Sequence, residues 1–192
     1  MEFQLYKRIN MKTEELSHLR IGHNYTRIED LDCTFYEINK DAETISNCPI
    51  TILFTDDDQD DQHIFKEALN DSKLNYVITC FSDGVQLIEY LNHVVLNTLA
   101  DILFLDINMP KLNGFECIKI IRDNPDYSKL FIAIYSTSSA ENDVEKAYNA
   151  GANVYIRKPN DFKRLTKVLV DLLHNSWDKH WTFYNRKNFL VS

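Results

Sequence analysis

Five acidic residues follow an apolar run in the stretch ILFTDDDQDD, residues 52–61. Adjacent carboxylates repel each other, so a folded protein keeps them together either on an open, solvated surface or around a shared cation. Further polar groups follow later apolar runs, namely Asp106, Ser136 and the Lys158–Pro159 dipeptide. Carboxylate oxygens are ligands for hard divalent cations. The residue types therefore predict a cation site, provided that the fold brings these groups together.

Short apolar runs alternate with amphipathic segments from Pro49 onward. The runs have the continuous apolar character of strands buried on both faces, and the intervening segments repeat the apolar stripe of a helix. The predicted strands cover residues 50–55, 75–81, 101–105, 130–136 and 153–157. Five successive strand–helix units predict a doubly wound α/β domain, in which a five-stranded parallel sheet carries helices on both faces.

The polar groups share one position relative to these strands. They follow the first, third, fourth and fifth strands, whereas the second ends at Cys80 and Phe81. Ligands of open α/β sheets bind beyond the carboxyl ends of the strands, where the strand order reverses. If the four strands are neighbours, three carboxylates, a hydroxyl and an ammonium meet on one rim. The second strand is then expected at an edge, outside the site.

Composition excludes several classes of function. The 192 residues carry a net charge of -8, which argues against non-specific binding to nucleic acid. The four cysteines have neither metal-ligand nor disulfide-framework spacing, which favours reduced thiols and a cytoplasmic location. No run approaches the ~20 apolar residues that span a bilayer, and no signal peptide is recognisable. We therefore expect neither a DNA partner nor a membrane partner.

The chain divides into three parts by composition. Residues 1–48 mix charges of both signs without a sustained apolar period and are expected to be a weakly structured leader or a docking arm. Residues 49–175 form the predicted α/β domain. Residues 176–192 are a tail too short for a DNA-binding or enzymatic output domain. Its aromatic residues either pack back onto the domain or offer a partner or dimer surface: Trp177, Trp181, Phe183 and Tyr184.

The predicted domain resembles the response-regulator receiver, the phospho-accepting module of two-component signalling. The resemblance rests on residues that occur in order at the strand ends, or within the fifth strand: Asp56, Asp57, Asp106 in LDINMPKLNG, Ser136, Tyr155 and Lys158–Pro159. The runs IYSTSS and AYNAGANVYIRKP resemble stand-alone receivers that follow phytochrome-type or hybrid kinases. The resemblance implies a flavodoxin-like sheet with strand order 2-1-3-4-5.

The resemblance also implies a reaction and a cofactor. Asp106 is expected to attack a phosphohistidine and form an aspartyl phosphate. Asp57 and Asp106 would coordinate Mg²⁺ directly and Asp56 through water, and the backbone carbonyl of Asn108 is implied as a further ligand. The remaining acids of the first stretch are expected to cap the first helix and to be solvated: Asp58, Asp60 and Asp61.

Three further roles follow from the same resemblance. Lys158 would contact a phosphoryl oxygen, and a cis peptide bond before Pro159 would aim its side chain inward. Ser136 would donate its hydroxyl to the phosphoryl group. Tyr155 would then change rotamer and turn inward, altering the surface of the fourth helix, fifth strand and fifth helix.

The expected function is a receiver that takes a phosphoryl group from a histidine kinase or histidine phosphotransfer protein and signals by protein–protein contact. No enzymatic turnover is expected beyond self-phosphorylation and self-dephosphorylation at Asp106. Two alternatives stay open. In a haloacid-dehalogenase-type phosphatase, Asp56 and Asp58 would form the Asp-x-Asp motif. That class of enzyme needs an acidic pair after the lysine, where only Asp161 follows. A receiver-shaped binding module would never be phosphorylated.

Overall fold

The computed structural model describes residues 49–93, 100–127, 130–175 and 188–191. The expected leader, residues 1–48, lies outside these ranges, as do the tail aromatics Trp177, Trp181, Phe183 and Tyr184. Strands β1 to β6 cover Ile50–Thr55, Tyr76–Phe81, Ile102–Leu105, Phe131–Ser136, Val154–Arg157 and Leu190–Val191. Helices α1 to α5 cover Gln59–Asp71, Gly84–His93, Gly114–Asp123, Glu141–Ala150 and Phe162–Asn175, and a 3₁₀ turn covers Pro125–Tyr127.

All six strands form one parallel sheet in the order β2-β1-β3-β4-β5-β6. The predicted α/β class, the order of the first five strands and the edge position of β2 are confirmed. The strand order reverses at β1, which lies between β2 and β3. The carboxyl ends of β1, β3, β4 and β5 therefore meet on one rim, as the positions of the polar groups require.

The sheet separates two hydrophobic cores, because successive strand residues point to opposite faces. Phe54 and Phe104 face one core, which α1 and α5 cover with Phe65, Ala68, Leu69, Leu165, Leu169, Leu172 and Leu173. Leu53 and Leu103 face the other core, which α2, α3 and α4 cover with Leu87, Leu91, Cys117, Ile118, Ile121 and Ala147. Burial on both faces accounts for the unbroken apolar character of the strands. No helix in the described ranges has the length and apolarity to cross a membrane.

The sixth strand was not predicted from the sequence. Leu190 and Val191 pair with Tyr155 and Ile156 of β5. Phe189, just before β6, is buried, and its ring meets the Tyr148 ring edge-on, with 5.2 Å between the centroids. The end of the tail thus packs onto the domain and covers the edge of β5.

Candidate active site

The acidic segment after β1 is held in place by the start of α1. Asp58 is the N-cap residue, and its side chain accepts a hydrogen bond from the Asp60 amide at 2.8 Å. The Gln62 side-chain amide donates to the backbone carbonyls of Asp56, at 2.7 Å, and Phe81, at 3.3 Å. These bonds tie α1 to the ends of β1 and β2. The capping predicted for Asp58 is therefore present.

Three carboxylates meet at the rim. Asp56, Asp57 and Asp106 each offer an oxygen, and these oxygens lie within 4.8 Å of one another. Asp56 and Asp106 are buried, whereas Asp57 is exposed. Burial raises the pKa of Asp56 to about 6, although the hydrogen bond from Lys158 acts in the opposite direction. Three close carboxylates, two of them buried, fit a hard divalent cation such as Mg²⁺ or Mn²⁺.

The loop after β3 fixes the Asp106 carboxylate. Its Oδ2 accepts a hydrogen bond from the Asn108 amide at 3.0 Å, and no donor among the described residues reaches Oδ1 within hydrogen-bond distance. A Cβ atom at Gly114 would lie 2.4 Å from the Asp106 carbonyl oxygen, so the close approach of α3 requires glycine there. Lys111 donates to buried Asp83 at 2.5 Å, which ties the loop to the start of α2.

The Lys158 ammonium lies among the acids. Its Nζ is 2.7 Å from Asp56 Oδ2, 2.7 Å from Asp61 Oδ2 and 3.7 Å from Asp106 Oδ1. Burial by itself lowers the pKa of Lys158, but the hydrogen bonds to Asp56 and Asp61 outweigh it and raise that pKa above its usual value. The expectation that Asp61 is simply a solvated residue of the first helical turn is wrong, because its carboxylate binds Lys158.

The expected cis peptide bond between Lys158 and Pro159 is also wrong, because the described residues contain no cis peptide bond. The two isomers of an X–Pro bond differ by only ~0.5–1 kcal/mol, so the surrounding fold decides between them. The Lys158 amide donates to the Ser136 carbonyl at 2.8 Å. This bond extends the pairing of β4 with β5, and the lysine side chain reaches Asp56 from a trans peptide.

Ser136 and Tyr155 connect the rim to α4 through Ser138. Ser136 is fully buried at the end of β4, and its Oγ accepts a 3.4 Å hydrogen bond from the Ser138 amide. The Tyr155 hydroxyl donates to the Ser138 carbonyl at 3.0 Å, and the Ser138 hydroxyl donates to Asp143 of α4 at 2.6 Å. Burial raises the pKa of Tyr155. The ring is already fully buried here, so no inward turn from solvent is required, and its role as a switch stays a prediction.

A comparison with known families decides the class of this site. The family model of the response regulator receiver domain, which describes the sequences of that family, matches residues 52–170, more than half of the chain. The chain belongs to the response regulator receiver family. It is similar to response regulator Rcp1 of Synechocystis sp., with 28% identity over 127 residues, which are 65% of this chain and 86% of Rcp1. Protein RcaC of Microchaete diplosiphon is 29% identical over 111 residues, which are 58% of this chain and 16% of RcaC.

Solved structures of such relatives share the receiver fold. The Mn²⁺-bound form of Rcp1 matches with a TM-score of 0.60 at 25% identity, over 69% of this chain and 97% of that chain. The phosphorylated cyanobacterial phytochrome response regulator RcpA matches with a TM-score of 0.59 at 25% identity, over 65% of this chain and 91% of that chain. Membership of the receiver family excludes the haloacid-dehalogenase alternative, and Asp58, the second acid of its supposed motif, caps α1 instead.

Proposed function

We propose that this receiver accepts a phosphoryl group on Asp106 from the phosphohistidine of a histidine kinase or histidine phosphotransfer protein. The observation that carries the proposal is the position of Asp106, whose carboxylate lies with two other carboxylates and 3.7 Å from the Lys158 ammonium. In the transfer, an Asp106 carboxylate oxygen forms a bond to phosphorus. The nitrogen–phosphorus bond of the donor breaks, and its electron pair returns to the imidazole.

The residues around Asp106 have distinct tasks in this proposal. The Asn108 amide orients the carboxylate through Oδ2, which leaves Oδ1 available for attack on phosphorus or for a metal ion. Lys158 neutralises charge on a phosphoryl oxygen, and Ser136 donates its hydroxyl to another. Such transfers depend chiefly on positioning and on neutralisation of the phosphoryl oxygens.

The acidic cluster supports a divalent cation, and we assign Mg²⁺ to it. Asp57 and Asp106 would bind it directly, Asp56 through water, and the Asn108 backbone carbonyl would be a further ligand. When bound, the cation neutralises charge on the phosphoryl oxygens. The Mn²⁺-bound structure of Rcp1 supports a divalent cation in a related receiver.

Signalling in this proposal takes place in the cytoplasm, by contact between proteins. The output surface is formed by α4, β5 and α5, since the hydrogen bonds through Ser138 join this surface to the phosphoacceptor rim. The domain at residues 49–175 carries the phosphoryl group, and the leader and the tail flank it. No catalytic turnover is assigned beyond gain and loss of the phosphoryl group at Asp106.

Intact-mass measurement tests the phosphoacceptor. Acetyl phosphate with Mg²⁺ is expected to add one phosphoryl group to the wild-type chain and none to Asp106→Asn. Asp126→Asn, a change at an exposed acid of the 3₁₀ turn, is the matched control and should label normally. Undiminished labelling of Asp106→Asn would refute the nucleophile. A wild-type chain that neither acetyl phosphate nor a panel of histidine kinases labels would favour the binding module that is never phosphorylated.

A further inference from the structure

Asp61, in the first turn of α1, forms an ion pair with Lys158 of the site. Its Oδ2 lies 2.7 Å from Lys158 Nζ, the same distance that separates the ammonium from Asp56 Oδ2. The Lys158 side chain is 9% exposed and that of Asp61 31% exposed, so this ion pair is more buried than an ordinary surface pair. Asp61 belongs to the first turn of α1, which the Asp58 cap and the Gln62 hydrogen bonds fix to the strand ends.

The two carboxylates limit what Lys158 can do. An ammonium has three N–H donors, and here Asp56 and Asp61 take one each. Asp106 Oδ1, at 3.7 Å, lies beyond hydrogen-bond distance. One N–H remains for a phosphoryl oxygen on Asp106, and an ammonium that moves toward that oxygen weakens its contacts with the two carboxylates. Every interaction that Lys158 makes before phosphorylation and loses afterwards opposes the modified state.

We propose that Asp61 is a positioning residue that competes with the phosphoryl group for the Lys158 ammonium and so lowers the affinity of the site for phosphoryl. The inference rests on the proposed function, and it concerns Asp61 alone. A divalent cation at the rim would give Asp56 a second positive partner besides Lys158, whereas Asp61 has no such second partner among the described residues. Asp61 is thus the competitor that remains once the cation is bound.

The same geometry implies that Asp61 increases the affinity of the site for the divalent cation. Asp61 shares the ammonium with Asp56, and without it Lys158 would bind Asp56 more closely and oppose the cation there. The loss of one negative charge near the rim acts in the same direction. Removal of the Asp61 charge is therefore expected to strengthen phosphoryl binding and to weaken cation binding. General damage to the site would weaken both.

Calorimetric titration of the full chain measures the two affinities separately. Mg²⁺ is titrated alone, and beryllofluoride, which mimics the phosphoryl group, is titrated at saturating Mg²⁺. Asp61→Asn is expected to bind beryllofluoride about three- to tenfold more tightly and to bind Mg²⁺ at least about twofold more weakly. These effects exceed those of a typical surface ion pair because the Asp61–Lys158 pair is partly buried. Asp60→Asn makes the same change of charge at an exposed residue of the same turn and should leave both affinities near wild type.

Each other outcome overturns the inference. Unchanged or weaker beryllofluoride binding by Asp61→Asn would show that Asp61 does not compete for Lys158. Unchanged or tighter Mg²⁺ binding by the same variant would refute the sharing of Lys158 with Asp56. An equal gain in beryllofluoride affinity in Asp60→Asn would show that the effect comes from the change of net charge alone. If wild-type protein bound no beryllofluoride at all, the proposed function itself would fail, a result distinct from binding without a gain in the variant.

Discussion

The backbone carbonyl of Phe189 accepts a hydrogen bond from the Tyr155 amide at 2.7 Å. The Phe189 ring also packs against Tyr148 of α4, and its centroid lies 6.4 Å from that of the Tyr155 ring. The C-terminal segment therefore contacts both α4 and β5, the elements proposed to signal phosphorylation. Among the described strands, β6 is the edge strand on this side of the sheet.

The substitution Phe189→Ala is expected to detach β6 while the rest of the domain stays folded. The Phe189 ring is buried, whereas the two residues of β6 itself, Leu190 and Val191, are exposed and half-buried, so the phenyl ring supplies the main apolar contact that holds this short strand. Hydrogen exchange at the Tyr155 amide should then accelerate by at least about tenfold, equivalent to ~1.4 kcal/mol of local stability. Leu190→Ala, at a half-exposed residue of the same segment, is the control. Unchanged exchange at Tyr155 in Phe189→Ala would contradict the pairing.

Much of the domain was predictable because its signals are local. Buried parallel strands leave continuous apolar runs, and the five predicted strands differ from the observed ones by no more than one residue at each end. The rim was predictable for a related reason. Once the strand order is known, Asp56, Asp106, Ser136 and Lys158 must emerge on the same edge of the sheet.

The remaining features depend on contacts between distant parts of the chain. Asp61 and Lys158 are 97 residues apart, and no pattern in either segment indicates that they bind each other. The isomer of the Lys158–Pro159 bond depends on a small energy difference that the fold decides. Strand β6 is too short to show a period, although the apolar run from Phe189 to Val191 near the end of the tail was a usable signal.

The two neighbouring acids after β1 should differ in their effect on Mg²⁺. Asp56 Oδ1 accepts a hydrogen bond from the Asp58 amide and Oδ2 accepts one from Lys158, whereas Asp57 is exposed. Asp57→Ala is therefore expected to weaken Mg²⁺ binding more than Asp56→Ala. A ligand that acts through water typically accounts for roughly tenfold in affinity, and loss of a direct ligand should exceed this. Calorimetric titration measures both, and equal losses would contradict the assignment.

The raised pKa of Asp56 predicts a change of stability with pH in metal-free protein. Burial raises this pKa from 3.8 to about 6 in the folded state, so the charged carboxylate destabilises the fold at pH 7. Asp56→Asn is expected to increase the free energy of unfolding there by about 1–3 kcal/mol, since one pKa unit corresponds to ~1.36 kcal/mol and partial solvent screening reduces the effect.

The sign of this dependence follows from the order of the two pKa values. The folded protein takes up the proton first as the pH falls, so the advantage of Asp56→Asn is full above pH 6 and disappears toward pH 3.8. Urea unfolding with a chelator at several pH values measures the difference, with Asp126→Asn as the control for loss of a carboxylate. An advantage that grows as the pH falls would contradict the prediction.

Phosphorylation should be transmitted from the rim to α4 through Ser138. A phosphoryl group that draws the Ser136 hydroxyl toward Asp106 also disturbs the hydrogen bond between Ser136 Oγ and the Ser138 amide. The Ser138 carbonyl holds the Tyr155 hydroxyl, and the Ser138 side chain holds Asp143 near the start of α4. Because Tyr155 is already buried, the expected response is a change in these hydrogen bonds and in the stability of α4.

A beryllofluoride adduct is therefore expected to change hydrogen exchange at Tyr155 and in the first turn of α4, since a ligand shifts only those states that bind it with different affinity. Ser136→Ala should reduce that change because it removes the hydroxyl that couples the adduct to Ser138. Ser139→Ala, at an exposed neighbour, should preserve it. If the wild-type adduct forms and exchange at Tyr155 and α4 stays the same, the signal does not pass through Ser138. The leader and the aromatic tail would then be the segments to test for output.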